Sequence, residues 1–163
     1  MKQKKIVLAQ LKAMGFKPVE IEDVGYGFTY EGMNYLYMSD DGDEQFLRIV
    51  IPYLFEVTDE NRVAVLETMH ETGKTLKYSK VCIMSKNAVW AMYEHRLTSV
   101  DDLPELLEHI ILVLEATARF FCQNISNKAG AGLSDELEEI SDEALEAELQ
   151  KMLESIEDEE VSN

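Results

Sequence analysis

Phe46-Leu47-Arg48-Ile49-Val50-Ile51-Pro52-Tyr53-Leu54-Phe55 is the stretch that decides the fold. It is β-branched, aromatic or aliphatic almost throughout, which suits a pleated strand, and side chains along a strand alternate between two faces. With the strand opening at Gln45, one parity reads Leu47, Ile49, Ile51, Tyr53 and Phe55, an apolar row of the kind that lines a core. The other parity offers Phe46, Val50 and Leu54 with Arg48 interspersed. A sheet with one wet face shows clean apolar and polar alternation, so a long strand that is apolar on both sides predicts a sheet covered on both faces.

Upstream, β-branched and aromatic residues are broken by Gly25-Tyr26-Gly27, Glu31-Gly32 and Asp40-Asp41-Gly42-Asp43. This turn chemistry divides residues 19–56 into three antiparallel strands, with a bulge near Gly25. Before them, Ile6, Val7, Leu8, Leu11 and Met14 recur near helical spacing and Gly15 caps the end, so residues 2–14 read as an amphipathic helix. Downstream, Thr58 caps a helix from Asp59 to Thr72 with Val63, Leu66 and Met69 on one stripe and Gly73 ending it. Residues 77–84 and 88–96, joined by Ser85-Lys86-Asn87, read as a hairpin. Asp101 or Asp102 with Pro104 then opens a long helix to Gln123, apolar over a wide stripe from Leu106 to Phe121. The fold class is α+β: an antiparallel sheet of about five strands with helices, in the order α-β-β-β-α-β-β-α.

Ser126-Asn127-Lys128-Ala129-Gly130-Ala131-Gly132 is a run of small and polar residues. The chain therefore reads as an α+β domain over 1–125, a flexible linker over 126–132 and a tail over 133–163. In the tail Leu137, Ile140, Ala144, Leu149, Met152 and Ile156 make a narrow apolar seam for a helix, which the crowded like charges weaken. The tail is thus an acidic segment, either an amphipathic helix or disordered.

Net charge is −17, and residues 133–163 supply most of it, with 13 acidic residues against Lys151 alone. The body, with 14 basic and 19 acidic residues, has no basic stripe for phosphates, so no nucleic-acid partner is expected. Residues 1–5 are basic like the start of an export signal, but the apolar run Ile6 to Ala9 is too short to continue one. No stretch approaches the roughly 20 apolar residues of a membrane span. The two cysteines, Cys82 and Cys122, lie in apolar segments without CxxC or metal spacing, which suits a reducing, cytoplasmic setting.

Several motifs nearly form. Gly73-Lys74-Thr75 ends like a phosphate-binding loop, but Thr68 stands where the first glycine belongs, and a helix precedes it in place of a strand. His70-Glu71 opens like a zinc-binding HExxH helix, yet Lys74 occupies the second ligand position. Asp40 to Glu44 is acidic like a calcium loop but is crowded by strands, and a hairpin turn explains it. Glu105, Glu108 and His109 are neighbours on one helix without matching sets elsewhere, and read as a solvated face. Nothing in the spacing of His95 and Cys82 or Cys122 predicts a nucleophile pair. No catalytic residue, metal or cofactor is expected.

The functional hint is the second face of the sheet. Beside Phe46, Val50 and Leu54, the later strands add Tyr78, Cys82 and Met84, then Trp90 and Met92, with Arg48, Lys80, Glu94 and Arg96 interspersed. Aromatics, methionines and arginines together suit adaptable protein recognition. Phe46, Val50, Tyr78, Met84, Trp90 and Met92 are therefore the candidate partner-binding residues.

With Phe46 to Tyr53 and Ala88-Val89-Trp90-Ala91-Met92-Tyr93, the element order over residues 2–123 resembles the type III secretion chaperone-like fold and its YbjN-like relatives, a family of bacterial sensory transduction regulators. The resemblance implies a small acidic protein, commonly a homodimer, whose surface grooves hold a client segment or which serves a regulatory role. The linker and acidic tail depart from the secretion chaperones. The reading is a non-enzymatic, chaperone-like interaction module that binds a protein client or itself through the mixed sheet face. One alternative is a small ligand sensor or enzyme with a pocket near His95, His109 or Cys82. The other is an acidic tail that docks on a basic partner, or that competes for the sheet face.

Overall fold

Lys2–Ala13 forms α1, and its end shows how local chemistry sets the chain's path. Gly15, at φ +94°, donates its N–H to Lys12 O (3.0 Å), and Phe16 donates to Leu11 O (3.1 Å), the paired bonds of a Schellman cap. The chain then turns so that the Phe16 ring meets Phe28 at 5.1 Å. The computed structural model describes residues 2–129 together with Ala147, Gln150 and Lys151.

Four strands, one more than the sequence predicts, occupy the segment that follows: β1 Val19–Ile21, β2 Gly25–Tyr30, β3 Met33–Ser39 and β4 Phe46–Glu56. Gly25-Tyr26-Gly27, read as a turn with a bulge, is the start of β2 instead. The turn falls before it, at Glu22, Asp23 and Val24, with Asp23 at φ +61°. Gly25 is there because β2 runs against the backbone of β3, where an added Cβ would collide with the Tyr37 carbonyl. Glu31-Gly32 joins β2 to β3 as expected, with both residues at positive φ. Asp40 and Asp43 accept N–H bonds from Gly42 (2.8 Å) and Gln45 (3.0 Å), so their carboxylates brace the β3–β4 turn.

The helix α2 spans Arg62–Thr75, later than predicted, because Thr58 and Asn61 clamp each other ahead of it, Asn61 Oδ1 accepting the Thr58 N–H at 2.8 Å. Gly73 lies inside α2 and does not end it. The buried residues are Val65, Thr68 and Thr72, whereas Val63 and Leu66 of the predicted stripe are exposed. The threonines fit an apolar contact because each hydroxyl bonds to a carbonyl one turn back, Ala64 O and Thr68 O, both at 2.7 Å, which leaves the methyls to pack. A hairpin follows, β5 Lys80–Met84 and β6 Ala88–Arg96, joined by a single 3-10 turn over Ser85–Asn87.

The last helix, α3, spans Leu103–Ala129. Ser126 to Ala129, read as the opening of a linker, continue this helix. Ile125 is fully buried and Ser126 Oγ donates to Cys122 O at 2.9 Å, so core contact carries the helix past the change in composition. Residues 130–132, and the tail apart from the three residues named, lie outside the described residues. Among the described residues no helix is long and apolar enough to cross a membrane.

All strand pairs are antiparallel, in the order β1-β2-β3-β4-β6-β5, which leaves three-residue β1 and five-residue β5 outermost. The helices stand on one face. There Leu47, Ile49 and Ile51 of β4, Tyr35 and Tyr37 of β3 and Ala91 and Tyr93 of β6 meet Leu107, Ile110 and Leu114 of α3 and Val7 and Leu11 of α1. Val57, Val65 and Val89 with Phe121 and Ile125 extend this layer under α2. Tyr35 donates its hydroxyl to Ile111 O (3.2 Å), tying the sheet to α3.

A second apolar face as the candidate interaction site

Register alone sets the site. Leu36 of β3 pairs with Val50 of β4, Val50 with Met92 of β6, and Trp90 of β6 with Cys82 of β5. Each is one position off the row of Tyr35, Ile49 and Ala91, so each points away from the helices. Ile21, Leu36, Val50, Ala88, Trp90 and Met92 form a separate apolar cluster, with Val24, Met38, Cys82 and Met84 around it. Val50 and Leu36 are fully buried and Trp90 is 7% exposed. The predicted second apolar face therefore exists, and Trp90 and Met92 do not share the interior of Ile49.

One side of the cluster is charged. Arg48, on the same face, reaches Glu94 through Nη2 (2.7 Å) and Nε (2.9 Å), and Lys80 Nζ reaches the other carboxylate oxygen at 2.5 Å. Burial pushes the Glu94 carboxyl up, but the hydrogen bonds from Lys80 and Arg48 outweigh it and leave the group below its ordinary pKa. The Arg48 guanidinium also lies over the Phe46 ring at 4.7 Å, which places Phe46 on this charged side as a half-buried platform. Arg96 Nε donates to Gln45 Oε1 (3.0 Å) beyond it.

At the other side of the cluster β4 breaks its alternation. Pairing with β6 shifts between Ile51 and Phe55, Pro52 has no N–H to give the ladder, and Tyr53 sits at φ +57°. The bulge lifts Tyr53 out of its predicted core row and sets its ring 5.9 Å from Trp90, 40% exposed, while Phe55 returns to the helix side against Phe121. It also carries Leu54, predicted for the second face, into contact with the helix-side core. The Trp90 indole Nε1–H is buried with no acceptor among the described residues. Such a group costs about 1–3 kcal/mol until an acceptor arrives.

Of the six candidate residues, Val50, Met84, Trp90 and Met92 come together, and Phe46 borders them. Tyr78 does not join them. It precedes β5 at φ +72°, is 68% exposed, and meets Tyr93 and His109 on the helix side at 6.4 and 5.1 Å. Sequence reasoning missed Ile21, Leu36 and Met38. The signal was available in β3, where Leu36 and Met38 alternate with Tyr35 and Tyr37.

The residues of the pocket alternative are not assembled. Cys82 lies on the second face, whereas His95 and His109 flank Tyr93 on the helix side, at 6.5 and 5.9 Å from its ring. Cys122 lies in the helix-side layer, where burial pushes its thiol pKa up, away from nucleophilic use. Among the described residues no three His, Cys, Asp or Glu side chains are grouped to hold a metal ion. An open cleft of about 700 Å³ lies elsewhere, between Lys4 and the β1–β2 turn, lined by Glu20, Glu22, Asp23 and Asp41.

Neither a family model nor a curated protein matches the sequence. Solved structures do. YbjN from E. coli, described as a candidate transcription regulator, superposes with a TM-score of 0.57 over 78% of this chain and 92% of its own, at 8% identity. The fold is YbjN-like. An uncharacterized protein from Methanothermobacter thermautotrophicus gives a TM-score of 0.52 at 16% identity, over 77% of this chain and 98% of its own. Both matches span nearly the whole of those chains, and the likeness is one of fold.

Proposed function

We propose that this chain is a non-enzymatic protein-interaction module that seats an amphipathic helix of a protein partner on its second sheet face. The observation that carries the reading is the Val50–Trp90–Met92 cluster on the side of the sheet away from all three described helices. Sheet faces are closed by helices or other sheets, and this face already has the makings of an interface core. It has a central tryptophan with an unanswered donor, methionines that adapt to a partner, and a rim of Arg48, Lys80 and Arg96 that suits an acidic helix flank. The candidate-regulator description of the YbjN structure is in keeping with such a role. Cys82 and Cys122 are free and belong to clusters on opposite faces, which suits a reducing cytoplasmic setting.

The test is quantitative capture by the full-length chain, wild type beside Met92→Glu, with circular dichroism and thermal unfolding to verify the fold of the variant. A partner seated on this face crosslinks to Lys80, and its capture falls about tenfold in the variant. A homodimer built through this face appears in sedimentation and reverts to monomer with the same substitution. Equal capture of every partner and equal sedimentation by the two proteins overturn the reading.

A further inference from the structure

Three residues of β4, Pro52, Tyr53 and Leu54, stand opposite a single residue of β6, because the ladder pairs Ile51 with Ala91 and Phe55 with Val89. That single residue is Trp90. Extra residues in a bulged strand are left out of the ladder, so what their side chains touch decides how firmly they are held. Pro52 is buried and Leu54 is half-buried against the helix side, which pins the segment on either side of Tyr53. Tyr53 itself is 40% exposed, and among the described residues its ring meets Trp90 while its hydroxyl makes no hydrogen bond.

Where a bulge calls for positive φ, glycine or asparagine takes that conformation with little strain. Tyrosine does not, yet Tyr53 is held at φ +57°. An aromatic ring does nothing for the bend of the strand, and what it adds is the contact with Trp90. The other member of that contact is unfavourable too, because the indole Nε1–H is buried without an acceptor among the described residues. Strain in one backbone and a missing hydrogen bond in the other side chain thus meet in one ring contact. Once Tyr53 swings out, its backbone is free to return to negative φ and the indole is open to an acceptor. The closed arrangement is therefore weakly held, although the residues on either side of it are fixed.

We infer that Tyr53 is a one-residue lid on Trp90 that swings away to admit a partner helix, and that the partner answers the indole N–H with a side-chain oxygen. The oxygen comes from a side chain because a helix already uses its backbone carbonyls in its own hydrogen bonds. Asp, Glu, Asn or Gln at the position over Trp90 supplies it, and the nearby Arg48 and Lys80 favour the two acids. The inference rests on the docking reading above and supplies the way its surface opens.

Trp90 is the only tryptophan, so one indole proton reports the lid in the full-length chain with no partner present. Its exchange with deuterium, followed by heteronuclear NMR, is expected to be insensitive to low urea, the mark of local opening, whereas the Val50 amide follows global unfolding. Tyr53→Gly is expected to speed indole exchange about tenfold and to raise acrylamide quenching of Trp90 several-fold, with the circular dichroism of the fold retained. Tyr53→Asn, which also tolerates positive φ, is expected to match it. Met84→Ala, which trims another member of the cluster around Trp90, is expected to change exchange by less than about twofold. An indole proton that exchanges only through global unfolding, or at the free rate in the wild type, overturns the inference. So do equal rates in the wild type and the Tyr53 variants, or an equal acceleration by Met84→Ala. Met92→Glu tests the docking reading with Tyr53 unaltered, so either reading can fail alone.

Discussion

Arg48 and Glu94 face each other across β4 and β6 with a 2.7 Å ion pair, and Lys80 closes on the same carboxylate from β5. Because the folded Glu94 pKa is depressed, its stabilisation is present above the ordinary carboxylate pKa and is lost as pH falls through the lower folded value. Glu94→Gln is therefore expected to cost less than about 1 kcal/mol at neutral pH, since all three side chains are partly solvated. The gap to wild type closes below about pH 4.5. Urea unfolding at the two pH values checks this.

Tyrosines supply the alkaline limb. Burial pushes Tyr37 up to about 12 and Tyr35 still further above its ordinary value, Glu115 adding to the second shift. Raised folded values mean that the stabilisation is whole below about pH 10 and is lost as pH climbs beyond it. Tyrosinate absorbance from Tyr35 and Tyr37 is expected to rise only as the fold is lost. Tyr35→Phe, which strips the Ile111 carbonyl of its buried partner, is expected to cost about 1 kcal/mol in denaturant unfolding.

Gly25→Ala tests the close approach of β2 to β3. The added Cβ meets the Tyr37 carbonyl, which is backbone and cannot swing aside, and Gly25 has a φ of +154°. Destabilisation of about 1–3 kcal/mol is expected, measured by thermal unfolding.

On α2 two adjacent residues give opposite outcomes. Val65 is fully buried and Leu66 is 47% exposed. Val65→Ala is expected to cost about 2 kcal/mol, and Leu66→Ala to stay within about 0.5 kcal/mol, although leucine loses the larger side chain.

Much of the fold was legible because period-two alternation is strict wherever a strand is regular. Leu47, Ile49 and Ile51 on one side and Val50, Trp90 and Met92 on the other follow from counting residues. Legibility ended where backbone geometry intervened. Positive φ at Tyr53 and a proline beside it moved Tyr53 and Leu54 to unexpected faces, and counting alone has no means to register a bulge. Leu66 was assigned to the core on hydrophobicity, whereas Thr68 and Thr72 took that place by satisfying their own hydroxyls. The same chemistry hid β1, because a glycine needed for close approach looks like a glycine needed for a turn.

The shortness of the two outermost strands, three residues in β1 and five in β5, also bears on solubility. An extended segment from another molecule would find only a few unpaired N–H and C=O groups at either rim, too few to template a growing fibril. An apolar surface can therefore be kept on this sheet without inviting strand-by-strand polymerisation.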